Sequence, residues 1–436
     1  MKIIYFHIDE LARDAIVASA LKKELKKRGV KLVYGNRFTT QFLSKFNVFD
    51  LAILPSLGHY TTTYPTDENL PDNIVILPSE AVGQATGTLR RMNAKYFGND
   101  QEKSTPWHKK VKAFLLWGYS HVEPFERQYP EYLPRCTVVG HPRLDKHCLK
   151  SKESKSQNPR KKIKVGLVSR FSGINPYHGK TIYQIIYLGM RRKGIELPAY
   201  ENSPDRDIED QLYTEMIDLR LFFQIIEKID AEKFEICMRP YPRENRFNWF
   251  ELFKEFNLDV KISTWDEPFS FWLSEMDFIV SPPSTTFYDA LSVGHLPICT
   301  MDIVNSRKDH VLTESDDNNQ ILEYVKRPKT IDELIELLSQ EAPDEIHEDV
   351  KKILLGQTAS DIAPQSIQNI ADACIKVIDS SPPAKNKENT LALFRISSLI
   401  LSYAQKLRSF FSKRGEQSAN FALTLSRIRM INKLSG

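Results

Sequence analysis

Short apolar runs and charged, helix-forming stretches alternate along this chain almost from its first residue. Apolar runs at 2–6, 31–34, 51–54, 74–77, 113–117 and 136–139 read as β-strands. Between the first two, residues 10–28 form a strongly charged helix that stops at Gly29, the residue type that best accepts the turn after a helix. A polar stretch rich in Lys and Ser, 150–162, reads as a linker. The alternation then restarts, with strands near 163–168, 234–238, 260–263, 278–281 and 296–300. Helices are expected over 211–230, 247–256, 286–293, 331–340 and, in part or whole, 345–379. Residues 172–210 are irregular and hold Pro176, Gly179, Pro198 and Pro204, a length that implies either function or some helix. Alternating strands and helices predict parallel, doubly wound sheets. Two such Rossmann-like halves face each other across a cleft, and ligands bind beyond the carboxyl ends of the strands. The expected units are an N-terminal domain over 1–149, the linker, a C-terminal domain over 163–345, C-terminal helices over 346–380 and, after the linker Pro382-Pro383-Ala384-Lys385-Asn386-Lys387, a tail over 388–436.

Composition narrows this picture. A chain of 436 residues is too long for one ordinary core, and 41% apolar and 11% aromatic content suit a globular protein of enzyme size. Cys136, Cys148, Cys237, Cys299 and Cys374 are scattered and form no C-x-x-C pair, so neither zinc nor a disulfide framework is indicated, and a reducing cytoplasm fits. The opening run Met1 to Phe6 is too short for a signal peptide, and no run approaches the roughly 20 apolar residues that span a bilayer. The net charge of +4 divides unevenly: residues 391–436 carry +7 and the rest −3. A near-neutral globular part argues against nucleic acid as a partner. In the tail, Leu393, Ile396, Ile400, Tyr403, Leu407 and Phe410 recur at helical spacing, with Arg395, Ser398, Ser402, Gln405 and Ser409 on the other face. A basic amphipathic helix of this kind suits an anionic membrane surface, and residues 391–433 are the expected contact; a helix docked on the protein itself or on another subunit is the alternative.

Two loops carry the clearest chemistry. In Asp277-Phe278-Ile279-Val280-Ser281-Pro282-Pro283-Ser284-Thr285-Thr286-Phe287-Tyr288-Asp289, an apolar strand runs into a hydroxyl-rich turn that opens a helix, a place suited to phosphate. One hydroxyl would suffice as a helix cap, so Ser281, Ser284, Thr285 and Thr286 together exceed that need. The second loop, Arg239-Pro240-Tyr241-Pro242-Arg243-Glu244-Asn245, sets two arginines among prolines that stiffen it. Glu80 follows an apolar strand and precedes a glycine-containing loop. A carboxylate partly desolvated in a cleft serves as a general base; a glutamate opening a helix is the alternative reading. His7 and Asp9, after the first strand, compete for the same role. His141-Pro142-Arg143 is expected to shape the hinge, and Asp205-Arg206-Asp207, with no apolar strand before it, reads as a solvated loop and not as a metal site.

Six short motifs stand in a recognisable order: Ile76-Leu77-Pro78-Ser79-Glu80, Leu116-Trp117-Gly118-Tyr119, Val139-Gly140-His141-Pro142-Arg143-Leu144-Asp145, Val168-Ser169-Arg170-Phe171-Ser172, Met238 to Asn245, and Ser281 to Thr286. The set, spanning about residues 1–345, resembles the GT-B glycosyltransferases, in particular bacterial surface carbohydrate (polysaccharide) biosynthesis proteins. The last two motifs resemble sugar-donor sites of CMP-Kdo and CMP-sialic acid transferases and of related CDP-glycerol transferases. Tyr241 stands where relatives often carry His, the second acid near Glu80 is missing, and Asp289 replaces the glutamate that many GT-B enzymes use to grip a ribose.

The resemblance implies a metal-independent glycosyltransferase without a cofactor, peripheral on the cytoplasmic face of the membrane. It would move a sugar from a nucleotide-activated, conceivably CMP-linked, donor to a bacterial surface glycan or lipid-linked acceptor, as in lipopolysaccharide or capsule assembly. Arg239, Arg243, Ser281, Ser284, Thr285, Thr286 and Asp289 would hold the sugar donor, and Glu80, Asp9 or His7 would act as base. Three alternatives share the architecture: a nucleotide-sugar 2-epimerase, a CDP-glycerol-type phosphotransferase, and a catalytically degenerate assembly scaffold.

Overall fold

The computed structural model describes residues 2–8, 11–35, 49–55, 72–78, 108–149, 162–176, 207–264, 267–307, 319–340 and 347–382. Glu80, Asp9, Asp205, Arg206 and the tail 388–436 lie outside the described residues.

The N-terminal half builds a six-stranded sheet of β1 (Lys2–His7), β2 (Val30–Gly35), β3 (Leu51–Leu54), β4 (Ile74–Ile76), β5 (Val111–Leu116) and β6 (Cys136–Val138), in the order β2-β1-β3-β4-β5-β6. The C-terminal half builds a five-stranded sheet of β7 (Ile163–Val168), β8 (Phe234–Arg239), β9 (Val260–Ile262), β10 (Phe278–Ser281) and β11 (Ile298–Cys299), in the order β11-β10-β7-β8-β9. Every pairing is parallel. Parallel strands carry helices on both faces, so their side chains are buried on both; β3 and β4 have no exposed residue, as their unbroken apolar runs require. The strand order reverses between β1 and β3 and between β7 and β10, the two places where an open parallel sheet splays to admit a ligand.

The helices are α1 (Leu11–Lys27), α2 (Glu123–Gln128), α3 (Asp207–Lys228), α4 (Arg246–Glu255), α5 (Phe269–Glu275), α6 (Thr286–Ser292), α7 (Met301–Asn305), α8 (Asn319–Leu322), α9 (Ile331–Ser339), α10 (Glu348–Thr358) and α11 (Ser366–Asp379). The helical stretch expected over 345–379 is two helices. Ala359 turns left-handed (φ 44°), and Pro364, which has no N–H to give, sits in the short turn before α11. The long helix α3 is described from Asp207, and residues 177–206 of the stretch read as irregular lie outside the described residues.

The last helix completes the first domain. Ile367, Ile370, Ala371, Cys374, Val377 and Ile378 of α11 repeat at helical spacing and pack into the core formed by α1 and one face of the N-terminal sheet. Burying such side chains stabilises by about 1.5–3 kcal/mol each at most. The chain thus crosses from the second domain back to the first through α10, which touches both α6 and the turn Tyr119–His121. Two glycines permit the crossing. A Cβ on Gly118 would lie 2.0 Å from the Gly356 carbonyl oxygen. Gly140 has φ +82°, and its Cβ would lie 2.7 Å from the Ala363 Cα. Hydrogen bonds fasten the seam: His141 N–H to the Thr358 carbonyl (3.0 Å), Ser366 Oγ to the Gly140 carbonyl (2.9 Å) and Ile367 N–H to Asp145 Oδ2 (2.8 Å).

Candidate functional site

Since β10, β7 and β8 are neighbours, the loops at their carboxyl ends lie side by side. Hydrogen bonds join them in series. Arg170, after β7, donates through Nη1 to the Pro283 carbonyl in the loop after β10 (3.2 Å). On its other side the β7 loop is tied to the β8 loop by Glu244. That carboxylate accepts from Ser169 Oγ (2.8 Å), Phe171 N–H (2.7 Å), Tyr241 N–H (3.2 Å) and Trp249 Nε1 (2.9 Å). Glu244 is fully buried, and burial pushes its pKa up to about 7 although every one of those contacts favours the charged form. A second buried acid, Glu215 of α3, accepts from Gly173 N–H (2.8 Å) and Ile174 N–H (2.9 Å), and burial raises its pKa as well. Two buried carboxylates therefore fix the backbone of the β7 loop.

The predicted sugar-donor residues separate into groups. Arg239 is buried, and its guanidinium turns toward the β9 side: Nη1 donates to Ser263 Oγ (3.2 Å), Nη2 to the Glu267 carbonyl (2.8 Å), and Glu267 Oε2 lies 3.8 Å away. Burial lowers its pKa to about 10. Its donors are engaged within the fold, on the opposite side of β8 from the hydroxyl-rich loop. Arg243 is exposed at the edge of the β8 loop. Ser281 is fully buried, and its hydroxyl donates to the Pro282 carbonyl (2.8 Å). Ser284 Oγ caps α6 by accepting from Thr286 N–H (3.2 Å) and also donates to Thr286 Oγ1 (3.1 Å). Thr285 is half-buried, with no cap bond from its side chain. The helix expected to attract phosphate, α6, has 7 residues, so its dipole is weak and the loop must rely on hydroxyls and Arg170. Arg170 and Glu244 stand within the sequence motifs without an expected role; each lies in a loop that follows a strand, the region where such sheets hold their ligands.

Asp289 lies on α6, but its carboxylate crosses to the first domain. It stands 3.7 Å from His141 Nε2 and 3.5 Å from Arg143 Nη2. Burial raises its pKa, opposed by Arg143 and Arg13. His141 is buried and its pKa is held well below the usual imidazole value, by burial first and then by Arg143. Its Nδ1 accepts from Arg143 N–H (3.1 Å), so in the neutral ring the proton is on Nε2 and points toward Asp289. The His141–Asp289 contact is therefore dipolar and not an ion pair. Expected to shape the hinge, His141 sits where the two domains meet.

At the carboxyl edge of the N-terminal sheet, beside its β1/β3 switch point, a shallow cleft opens to solvent. His7, Arg13, Asp14, Trp117, Pro142 and Arg143 are among its lining residues. A second cleft shares Arg13 and Arg143 and continues to Phe269, Ser270 and Asp289 of the C-terminal domain. Of the three candidate bases, His7 is placed here, buried at the end of β1, while Leu77 and Pro78, just before Ser79-Glu80, line the same wall. Among the described residues no group of His, Cys, Asp and Glu is arranged to hold a metal, and no helix is long and apolar enough to cross a membrane. The five cysteines are free.

No protein-family model matches the sequence, and no curated protein matches it. Solved structures share its shape. The wall teichoic acid polymerase TagF superimposes with a TM-score of 0.50 and 10% identity over 87% of this chain and 89% of its own. A UDP-GlcNAc 2-epimerase from Methanocaldococcus jannaschii is similar at a TM-score of 0.43 and 11% identity, over 86% of this chain and 100% of its own. At such identities the likeness is one of fold: the chain has the GT-B architecture, two parallel-sheet α/β domains facing across a cleft.

Proposed function

We propose that this chain is a GT-B transferase that uses a nucleotide-activated sugar to build a surface glycan. The supporting observation is the linked set of loops at the β7/β10 switch point, followed by α6, whose Asp289 meets His141 and Arg143 of the other domain. Arg170, Thr285 and Ser284 form the part of those loops suited to the phosphate of the sugar donor, with Arg243 at the rim. When the nucleotide leaves, negative charge grows on that phosphate, so contacts made there stabilise the transition state more than the ground state. Arg239 supports the pocket through Ser263 and Glu267 and does not itself meet phosphate. The acceptor enters from the N-terminal cleft, where His7, Glu80 or Asp9 removes the proton from its hydroxyl. Asp289, facing His141 and Arg143, joins the two walls and leaves the ribose to other groups.

CMP is the nucleotide favoured by the motif resemblance, and the basic amphipathic segment 391–433 would hold the enzyme at an anionic cytoplasmic membrane surface, near a lipid-linked acceptor. Incubating full-length protein with CMP-, CDP-, UDP- and GDP-linked sugars, with and without membrane glycolipid, tests this reading. Acceptor-dependent release of nucleotide supports transfer. Sugar interconversion without acceptor identifies a 2-epimerase on the same fold, transfer of a phosphoalcohol identifies a phosphotransferase, and binding without turnover identifies a scaffold.

A further inference from the structure

The N-terminal cleft contains hydrogen-bond donors that the fold does not satisfy. Arg143 is largely buried, with a side chain 15% exposed, and its guanidinium lies over the Trp117 ring, 5.7 Å from the centroid. Its Nε is buried and has no partner. Nη2 is 3.3 Å from His141 Nε2, but that nitrogen bears a proton because Nδ1 is already accepting, so the contact joins two donors. The nearest carboxylate, Asp289, stands at 3.5 Å, beyond a normal hydrogen bond. Trp117 is 2% exposed, and its indole N–H, which can only donate, also has no partner. Both side chains line the cleft, and Arg13 lines it beside them, tied to Asp14 at 3.1 Å. Buried donors without acceptors are costly, and a guanidinium most of all. A forked cation with a neighbouring N–H matches a planar or tetrahedral oxyanion.

We infer that the N-terminal cleft is an oxyanion subsite, and that the acceptor carries a carboxylate or phosphate which Arg143 and the Trp117 N–H hold. This rests on the proposed transferase reading for the word acceptor, whereas the anion site itself does not. Asp289 faces the same guanidinium from the other domain, so an anion on Arg143 would loosen or replace that contact. A neutral sugar would leave Arg143 and Trp117 as they are, and selection against it would follow from those unpaired groups.

The test uses full-length protein carrying Arg170→Gln, so that the loops of the C-terminal domain contribute little anion affinity. Glucuronate, glucose 6-phosphate and glucose are titrated by calorimetry or ligand-observed NMR. The inference expects the two anions to bind and compete with each other, and glucose to bind at least tenfold more weakly. The tighter of the two anions tells whether the acceptor bears carboxylate or phosphate. Adding Arg143→Gln should cost tenfold or more in anion affinity. Trp117→Phe keeps the ring but removes the N–H, and should cost several-fold while preserving the fold, which covers the case in which the arginine variant is unstable. Anion binding unchanged by both substitutions, equal binding of glucose, or no anion binding at tens of millimolar would each overturn the inference. Nucleotide binding is measured separately on the wild type; its absence would sink the transferase reading while leaving the anion result to stand or fall alone.

Discussion

The carboxyl edges of the two sheets are built on opposite terms. At the C-terminal edge the groups that tie the β7, β8 and β10 loops are engaged, while the buried Thr300 hydroxyl after β11 is not: Glu244 accepts from two backbone amides, a hydroxyl and an indole, Arg239 is absorbed by Ser263 and Glu267, and Ser281 bonds to the next carbonyl. At the N-terminal edge Arg143 Nε and Trp117 Nε1 are buried without partners. The first edge is pre-organised, so a ligand there meets loops already in place and little ordering entropy opposes binding. The second is completed by what binds it. A buried polar residue marks a site only when its hydrogen bonds remain unfilled; when they are filled it marks a scaffold.

If the C-terminal edge is a scaffold, breaking its central carboxylate should have the largest effect. Glu244→Ala strands several buried donors at once and is expected to destabilise by at least about 3 kcal/mol, measured by chemical denaturation. An unchanged midpoint would show that the loops are held otherwise. Next is the seam that joins the domains. Gly140→Ala forces a side chain into φ +82° and against the Ala363 backbone. We expect a loss of about 2 kcal/mol or more, with faster hydrogen exchange across α11. Unaltered exchange there would mean that α11 does not depend on the crossing.

Arg239→Lys separates the two readings of that residue. Lysine cannot reproduce the fork to Ser263 and Glu267, so stability should fall by about 1–2 kcal/mol while nucleotide affinity stays the same. A large affinity loss without a stability loss would return Arg239 to the phosphate. The Glu244 carboxylate also carries a pH effect. Glu244 has a folded pKa of about 7, above the ordinary glutamate value of about 4.5, so the folded state binds its proton more tightly than the unfolded state does. Its contribution to stability is present below about pH 4.5 and is lost as pH rises through about 7, by at most on the order of 3 kcal/mol. Glu244→Gln should flatten that slope in denaturation curves collected from pH 5 to 8; an identical slope in the variant would assign it to another group.

The strands were legible because parallel strands are apolar on both faces: runs such as Leu51–Leu54 admit no other reading in a chain that alternates with charged helices. Helices were expected over 346–380, but the point where one gives way to the next was not legible, because Ala359 gives no sign of a left-handed turn. Where to look for a candidate site was legible too, since strand ends are where such sheets bind ligands. Its chemistry was less so. Arg239 and Arg243 look equivalent in the sequence, yet one is buried against Glu267 and the other is exposed, and only the adjacency of β8 and β9 decides this. Glu244 resembles any loop glutamate until β7 brings Ser169 and Phe171 to it. Asp289 sits at the spacing of a ribose ligand, but the crossing at α10 sets His141 and Arg143 before it.

The central claim is that the β7, β8 and β10 loops form a nucleotide site with Arg170 as its cation. Calorimetric titration of CMP, CDP, UDP and GDP into wild-type and Arg170→Gln protein tests it most directly. The account predicts that one of these nucleotides binds the wild type, and that Arg170→Gln weakens it by about 1.5–3 kcal/mol, roughly ten- to a hundredfold, with no change in unfolding midpoint because Arg170 is exposed. Equal affinity in the two proteins, or no binding of any of the four to the wild type, would contradict it.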